Sequence, residues 1–201
     1  MNVLLLGATG TLGTALAKKW MAETDYRLTL FSRHAEDVYS ENERVAVVNG
    51  DATGKDLEKV LPGQDVVCCA ISGKQLPKVA ENLVARMPKA GVKRLIFMGA
   101  TGIYNEIPEE MDGKDNLDQN PEQIPNRRAV DIVEASSLAW TVLCPGYLRD
   151  GDADDYVLTF RGEPAKGYIS TISSVVHLIM RLLEGENLYF RQSVGITRDM
   201  R

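Results

Sequence analysis

The stretch LLLGATGTLG, residues 4–13, sets Gly7, Gly10 and Gly13 at three-residue spacing directly behind an apolar run. VLLL (3–6) reads as a short buried strand, and Leu12, Leu16 and Trp20 read as one face of a helix, so the glycines fall in the turn between them. Each glycine answers a different steric demand. Gly7 ends the strand, where a tight turn needs a residue free of Cβ. Gly10 lets backbone come close to a pyrophosphate, and Gly13 lets the helix pack tightly on the sheet. The helix start then offers unpaired N–H groups and a positive dipole end to an anion. A diphosphate-binding turn over Gly7, Thr9, Gly10, Thr11, Leu12 and Gly13 is therefore expected, with the spacing G-x-x-G-x-x-G in place of the commoner G-x-G-x-x-G.

Outward from that turn, apolar strands alternate with helical patterns. RLTLFS (27–32), RVAVV (44–48), DVVCCAI (65–71), RLIFM (94–98) and WTVLC (140–144) read as the second to sixth strands. Between them, Thr53 and Asp56 resemble a capping box ahead of Leu57, Val60 and Leu61. Leu76, Val79, Ala80, Leu83, Val84 and Met87 form one helical face closed by Gly91, and Ala129, Ile132 and Val133 mark another helix. Buried strands alternating with helices predict an α/β fold, a Rossmann-type doubly wound parallel sheet with a small C-terminal substrate-side extension. YVLTF (156–160) and GYIST (167–171) are expected to pair as a hairpin, and Ser173 or Ser174 to cap a helix carrying Val175, Leu178, Ile179, Leu182 and Leu183. ENLYFRQS (186–193) is like a tag-protease site interrupted by Arg191; it is read as native chain, with no element assigned. Residues 1–201 read as one domain, with 99–126 and 145–172 as substrate-side loops and hairpin.

Composition narrows the partners. A net charge of −5, from 28 acids against 23 bases, argues against nucleic acid and acidic membrane surfaces. No apolar stretch approaches the roughly 20 residues of a membrane span, and MNVLLLG is too short for a secretory signal. A cytoplasmic protein acting on a small molecule is expected. Cys68 and Cys69 are adjacent, so on a strand they face opposite ways, which suits packing better than a redox pair.

GATGTLG, FSR at the end of the second strand and NGDAT after the third resemble an atypical short-chain dehydrogenase/reductase. The likeness is to the small NAD(P)H-binding, NmrA-like group that includes biliverdin-IXβ-reductase-like proteins. RLIFMGATGIY and SSLAWTVLCPGYL resemble that group's fifth- and sixth-strand patterns, and the likeness spans residues 1 to about 184. It implies that Asp51, with Ala52 behind it, lies beside the adenine ring. It also implies that Ala70, Ile71 and Ser72 line the ribose, and that Pro145 and Gly146 shape the nicotinamide side.

The second strand ends in Ser32-Arg33, where an NAD site of this type commonly places Asp or Glu to grip the ribose 2′-OH. A guanidinium and a hydroxyl both hydrogen-bond a 2′-phosphate that an acid would repel, so NADP(H) is expected over NAD(H). The usual Ser-Tyr-Lys relay is missing: Ala100 stands in the serine's place, no Y-x-x-x-K occurs, and the helix expected to carry it begins PNRRAVDIVEAS. Cys144 replaces the arginine that often precedes the family's proline. Thr101 and Tyr104 remain as candidate catalytic helpers, and Tyr104, Asn126, Arg127 and Tyr147 as candidate substrate contacts.

No metal is expected. Asp150, Asp152 and Asp154 start like a calcium loop but lack its Gly and its closing Glu, and His34 and His177 have no ligand at metal spacing. Two functions fit these residues. One is an NADPH-dependent reductase delivering hydride to a quinone, flavin or similar conjugated acceptor. The other is a non-catalytic regulator that senses NADP(H).

Overall fold

The computed structural model describes residues 1–111, 113–153, 156–185 and 188–199. Its opening unit is the one expected from the glycine turn: β1 (Asn2–Leu6), α1 (Thr11–Glu23) and β2 (Arg27–Ser32). β3 (Val45–Asn49), α2 (Leu57–Val60), β4 (Val66–Cys69), α3 (Leu76–Arg86) and β5 (Arg94–Met98) continue the alternation. Then follow α4 (Ile124–Glu134), β6 (Ala139–Pro145), β7 (Tyr147–Arg149), β8 (Val157–Phe160), β9 (Ile169–Thr171), α5 (Ile172–Glu184) and β10 (Gln192–Thr197).

The main sheet runs β3-β2-β1-β4-β5-β6-β10-β8 and is parallel except for β8. Strand order reverses between β1 and β4, which opens a crevice at the carboxyl ends of those two strands. Side-chain alternation divides the core into two layers. Leu4, Leu6 and Cys69 pack under α2, α3 and α4, while Val3, Leu5 and Cys68 pack under α1 and α5. The adjacent cysteines thus enter opposite cores, as strand geometry requires. Among the described residues, no helix is long and apolar enough to cross a membrane.

Four local expectations are corrected. The hairpin of 156–160 with 167–171 does not form: β8 pairs antiparallel with β10, and β9 pairs parallel with β7. The cause is β10, a strand unassigned from sequence, which pairs with β6 and gives β8 a longer ladder than β9 would. Thr53 and Asp56 make no capping box. Thr53 donates from its amide and hydroxyl to Asp51 at 2.8 Å, and Asp56 instead pairs with Lys59 at 2.8 Å. The last helix is capped by Thr171, whose hydroxyl accepts the Ser174 amide at 3.1 Å, one turn earlier than a Ser174 cap would allow. The third strand starts at Val45, one residue later than RVAVV. Asp154 and Asp155 of the rejected calcium loop lie outside the described residues, and no cluster fit to hold a metal ion occurs among the described ones.

Candidate active site

The glycine turn is built by close backbone contact. Gly7, at φ +80°, donates its amide to the Phe31 carbonyl at 2.9 Å, and Gly10 donates to the Gly7 carbonyl at 3.0 Å. A Cβ on Gly13 would stand 2.0 Å from the Gly7 carbonyl oxygen, so only glycine lets α1 start this close to β1. A Cβ on Gly7 would stand 3.0 Å from the Ala70 carbonyl, which seats the β4 loop directly on the turn. Gly10 differs. Its Cβ would meet only the Gly7 carbonyl, at 3.4 Å, leaving the outer side open in front of first-turn amides that have no partner within the helix. A diphosphate fits that cradle by both shape and charge.

The other nucleotide candidates gather at the same carboxyl edge. Thr9 donates to the Ser32 hydroxyl at 3.1 Å, tying the glycine turn to the end of β2, and Ser32 is nearly buried while Arg33 stands in solvent. His34 lies 3.5 Å from Asp37, both well exposed. Past β3, the Asp51 carboxylate accepts from Thr53 and the Asp51 carbonyl accepts the Gly54 amide at 3.1 Å, forming a tight turn whose Ala52 is buried. Ala70, Ile71 and Ser72 leave β4 beside Gly7, where Ala70 donates to the Leu6 carbonyl at 2.9 Å.

On the β5 and β6 side, Thr101 donates its amide to the Pro145 carbonyl at 2.9 Å and its hydroxyl to the Cys144 carbonyl at 3.0 Å. Gly146 packs where a Cβ would stand 2.2 Å from the Tyr168 carbonyl, and its amide donates to Ser170. Tyr147 is exposed, with Asp115 bonded to its phenol and holding that phenol above its usual pKa. Asn126 donates to Gln123 at 2.9 Å. The loop from 99 to 123 is densely tied: Asn116 exchanges two hydrogen bonds with Ile107, and Gln123 donates to the Thr101 and Asp115 carbonyls.

Tyr104 points elsewhere. Its hydroxyl bonds Glu134 at 2.7 Å and Ser193 at 2.8 Å, within the layer under α4. Ser193 stands opposite Val142, about 10 Å along the strand from Pro145 at the sheet edge. Arg161 pairs with Glu134 at 2.6 Å, and both Arg127 and Arg161 lie over the Tyr104 ring at 4.8 Å. Arg127 also bonds Asp131 at 2.9 Å and the Ile103 carbonyl at 3.3 Å. Burial, then the neighbouring Cys144, pushes the Tyr104 phenol up. A groove of about 540 Å³ opens beside this cluster, between Tyr104–Pro108 and Gly162–Pro164.

Sequence reasoning passed over Glu134, Ser193, Arg161 and Asn82. Only Asn82 carried a usable signal, as an amide three residues beyond core-facing Val79 on α3.

A glycine turn at the switch point of a parallel sheet defines a dinucleotide-binding protein of Rossmann type. The chain belongs to the NAD(P)H-binding family, whose model matches residues 7–186. Among solved structures, a Rossmann-fold NAD(P)-binding family protein from Shigella flexneri is 31% identical, with TM-score 0.83, over 98% of this chain and 93% of that one. A short-chain dehydrogenase/reductase from Veillonella parvula in complex with NADP is 23% identical, with TM-score 0.86, over 98% and 94%. ChuY, an anaerobilin reductase from Escherichia coli O157:H7, is 19% identical, with TM-score 0.83, over 100% and 98%. A search among curated proteins finds no match to the sequence.

Proposed function

We propose that this chain is an NADPH-dependent reductase that passes hydride to a conjugated acceptor, such as a quinone or a flavin, without a Ser-Tyr-Lys relay. The observation that carries this reading is the state of the two hydroxyls that the sequence offers as proton donors. Thr101 spends its proton on the Cys144 carbonyl, and Tyr104 is held by Glu134 and Ser193. A phenol pushed up in pKa is a poor proton donor at neutral pH. An acceptor whose reduced anion is delocalised needs little acid help, so orientation and exclusion of water suffice.

In this reading a bound nicotinamide coenzyme supplies the hydride, and the chain's residues hold and orient it. Amides of the Gly7–Gly13 turn take the diphosphate. Ser32 and Arg33 take the 2′-phosphate. Asp51 and Ala52 flank the adenine, and Ala70–Ser72 the ribose. Thr101, Pro145 and Gly146 wall the nicotinamide side, with Asn126, Arg127 and Tyr147 at the acceptor's rim. The NADP complex of the Veillonella protein and the reductase name of ChuY support the choice of coenzyme and reaction class.

A non-catalytic NADP(H) sensor is the second reading, since it needs no proton donor at all, and turnover decides between the two. Purified protein is mixed with NADPH and a panel of flavins and quinones, following the loss of the reduced nicotinamide's near-ultraviolet absorbance. Oxidation above background supports the reductase; none across the panel overturns it and leaves the sensor.

A further inference from the structure

The adenine-side turn is held from behind by a residue to which the nucleotide motifs assign no part. Asn82 lies on α3, almost fully buried, among Val79, Ala80 and Leu83. Its side-chain amide donates to the Ala52 carbonyl at 2.9 Å and to the Gly54 carbonyl at 3.3 Å. Its oxygen accepts from Arg86 at 2.7 Å, and Arg86 in turn pairs with Glu58 of α2 at 3.1 Å. The arginine fixes which way the amide faces, because only the NH2 end is then left for the two carbonyls. A buried amide in an apolar stripe is costly unless its bonds are made, and here both of the bonds it donates point at one turn.

That turn carries Asp51. Its carbonyl receives the Gly54 amide, its own amide is bonded to Asp56 at 3.1 Å, and its carboxylate is bonded to Thr53. We infer that Asn82 is a positioning residue for the adenine end of the coenzyme: it sets the height of the Asp51–Gly54 turn over the end of β3, with Arg86 orienting it. The inference rests on the adenine placement beside Asp51 given under the proposed function.

The test separates the coenzyme into halves. Adenosine 2′,5′-bisphosphate, reduced nicotinamide mononucleotide and intact NADPH are titrated calorimetrically into wild type, Asn82→Ala and Arg86→Met. Asn82→Ala is expected to weaken the bisphosphate and NADPH by about tenfold, the scale of a lost buried hydrogen bond. Affinity for the mononucleotide should stay unchanged. Arg86→Met, which keeps Asn82 itself, should weaken the bisphosphate in the same direction by about threefold, and it carries the test if Asn82→Ala does not fold. Equal losses for both halves, or no loss, overturn the role of Asn82. A wild type that binds NADPH but not the bisphosphate overturns the adenine placement itself.

Discussion

The Tyr104 hydroxyl donates to Glu134, the last residue of α4, across 2.7 Å. α4 begins at the carboxyl edge of the sheet, and its ten-residue rise from Ile124 carries Glu134 about 15 Å away from that edge. The phenol therefore braces the layer under α4. Tyr104→Phe should leave NADPH oxidation within about threefold of wild type and cost about 1 kcal/mol of stability. Glu134 keeps Ser193 and Arg161 as partners in the variant. A parallel kinetic and denaturation series checks both numbers, and a hundredfold loss of turnover with unchanged stability would make Tyr104 catalytic after all.

The glycines of the turn should separate fold from binding. Gly13→Ala forces a Cβ to 2.0 Å from backbone, so it should destabilise the protein by about 3 kcal/mol. Gly10→Ala meets backbone only at 3.4 Å, so its unfolding midpoint should stay near wild type while coenzyme affinity drops by about tenfold or more, as the methyl enters the cradle. Thermal unfolding with and without NADPH measures the two together.

Arg33 is expected to choose the coenzyme. Arg33 is exposed and directly follows Ser32 at the end of β2. Arg33→Glu should raise the Kd for NADPH by about 10- to 100-fold, on the scale of a charge-assisted hydrogen bond, and leave NADH unchanged or improved. Paired titrations of both nucleotides decide it. Equal affinity in wild type, unaltered by the substitution, would remove the 2′-phosphate assignment.

The cysteines give a pH prediction. Burial raises the Cys69 thiol from 9.0 to about 12, and raises Cys68 and Cys144 as well. A group whose folded value lies above its unfolded one contributes stability in full below the unfolded value and loses it as pH rises through the folded one. Stability should therefore fall from about pH 9 toward pH 12, in the window set by Cys69. Cys69→Ala should make that limb shallower, after allowance for the cavity it leaves, with Cys68 and Cys144 keeping the rest. At neutral pH the three buried thiols should ignore a maleimide until denaturant is added.

The geometry of the glycine turn and of the second strand's end was legible because it is written in local terms. Gly7 must take positive φ, Gly13 must admit backbone, and Ser32-Arg33 follows a strand whose end is marked by its own apolar run. The cluster around Tyr104 was not legible in this way. Tyr104 sits two residues from Glu106, which binds its amide, yet its hydroxyl meets Ser193, 89 residues away. No spacing rule reaches that far.

Taken alone, the amino-acid order determined the alternating strands and helices, the two-faced burial of Cys68 and Cys69, and the glycine bend. All of these follow from torsional preference and hydrophobic period within a few residues. Only the tertiary structure decided that β10 enters between β6 and β8, that β9 is left to β7, and that Asn82 reaches Ala52. Pairing partners are chosen by competition among ladders far apart in the chain, and a buried amide turns toward whichever carbonyls the packed core leaves without a donor.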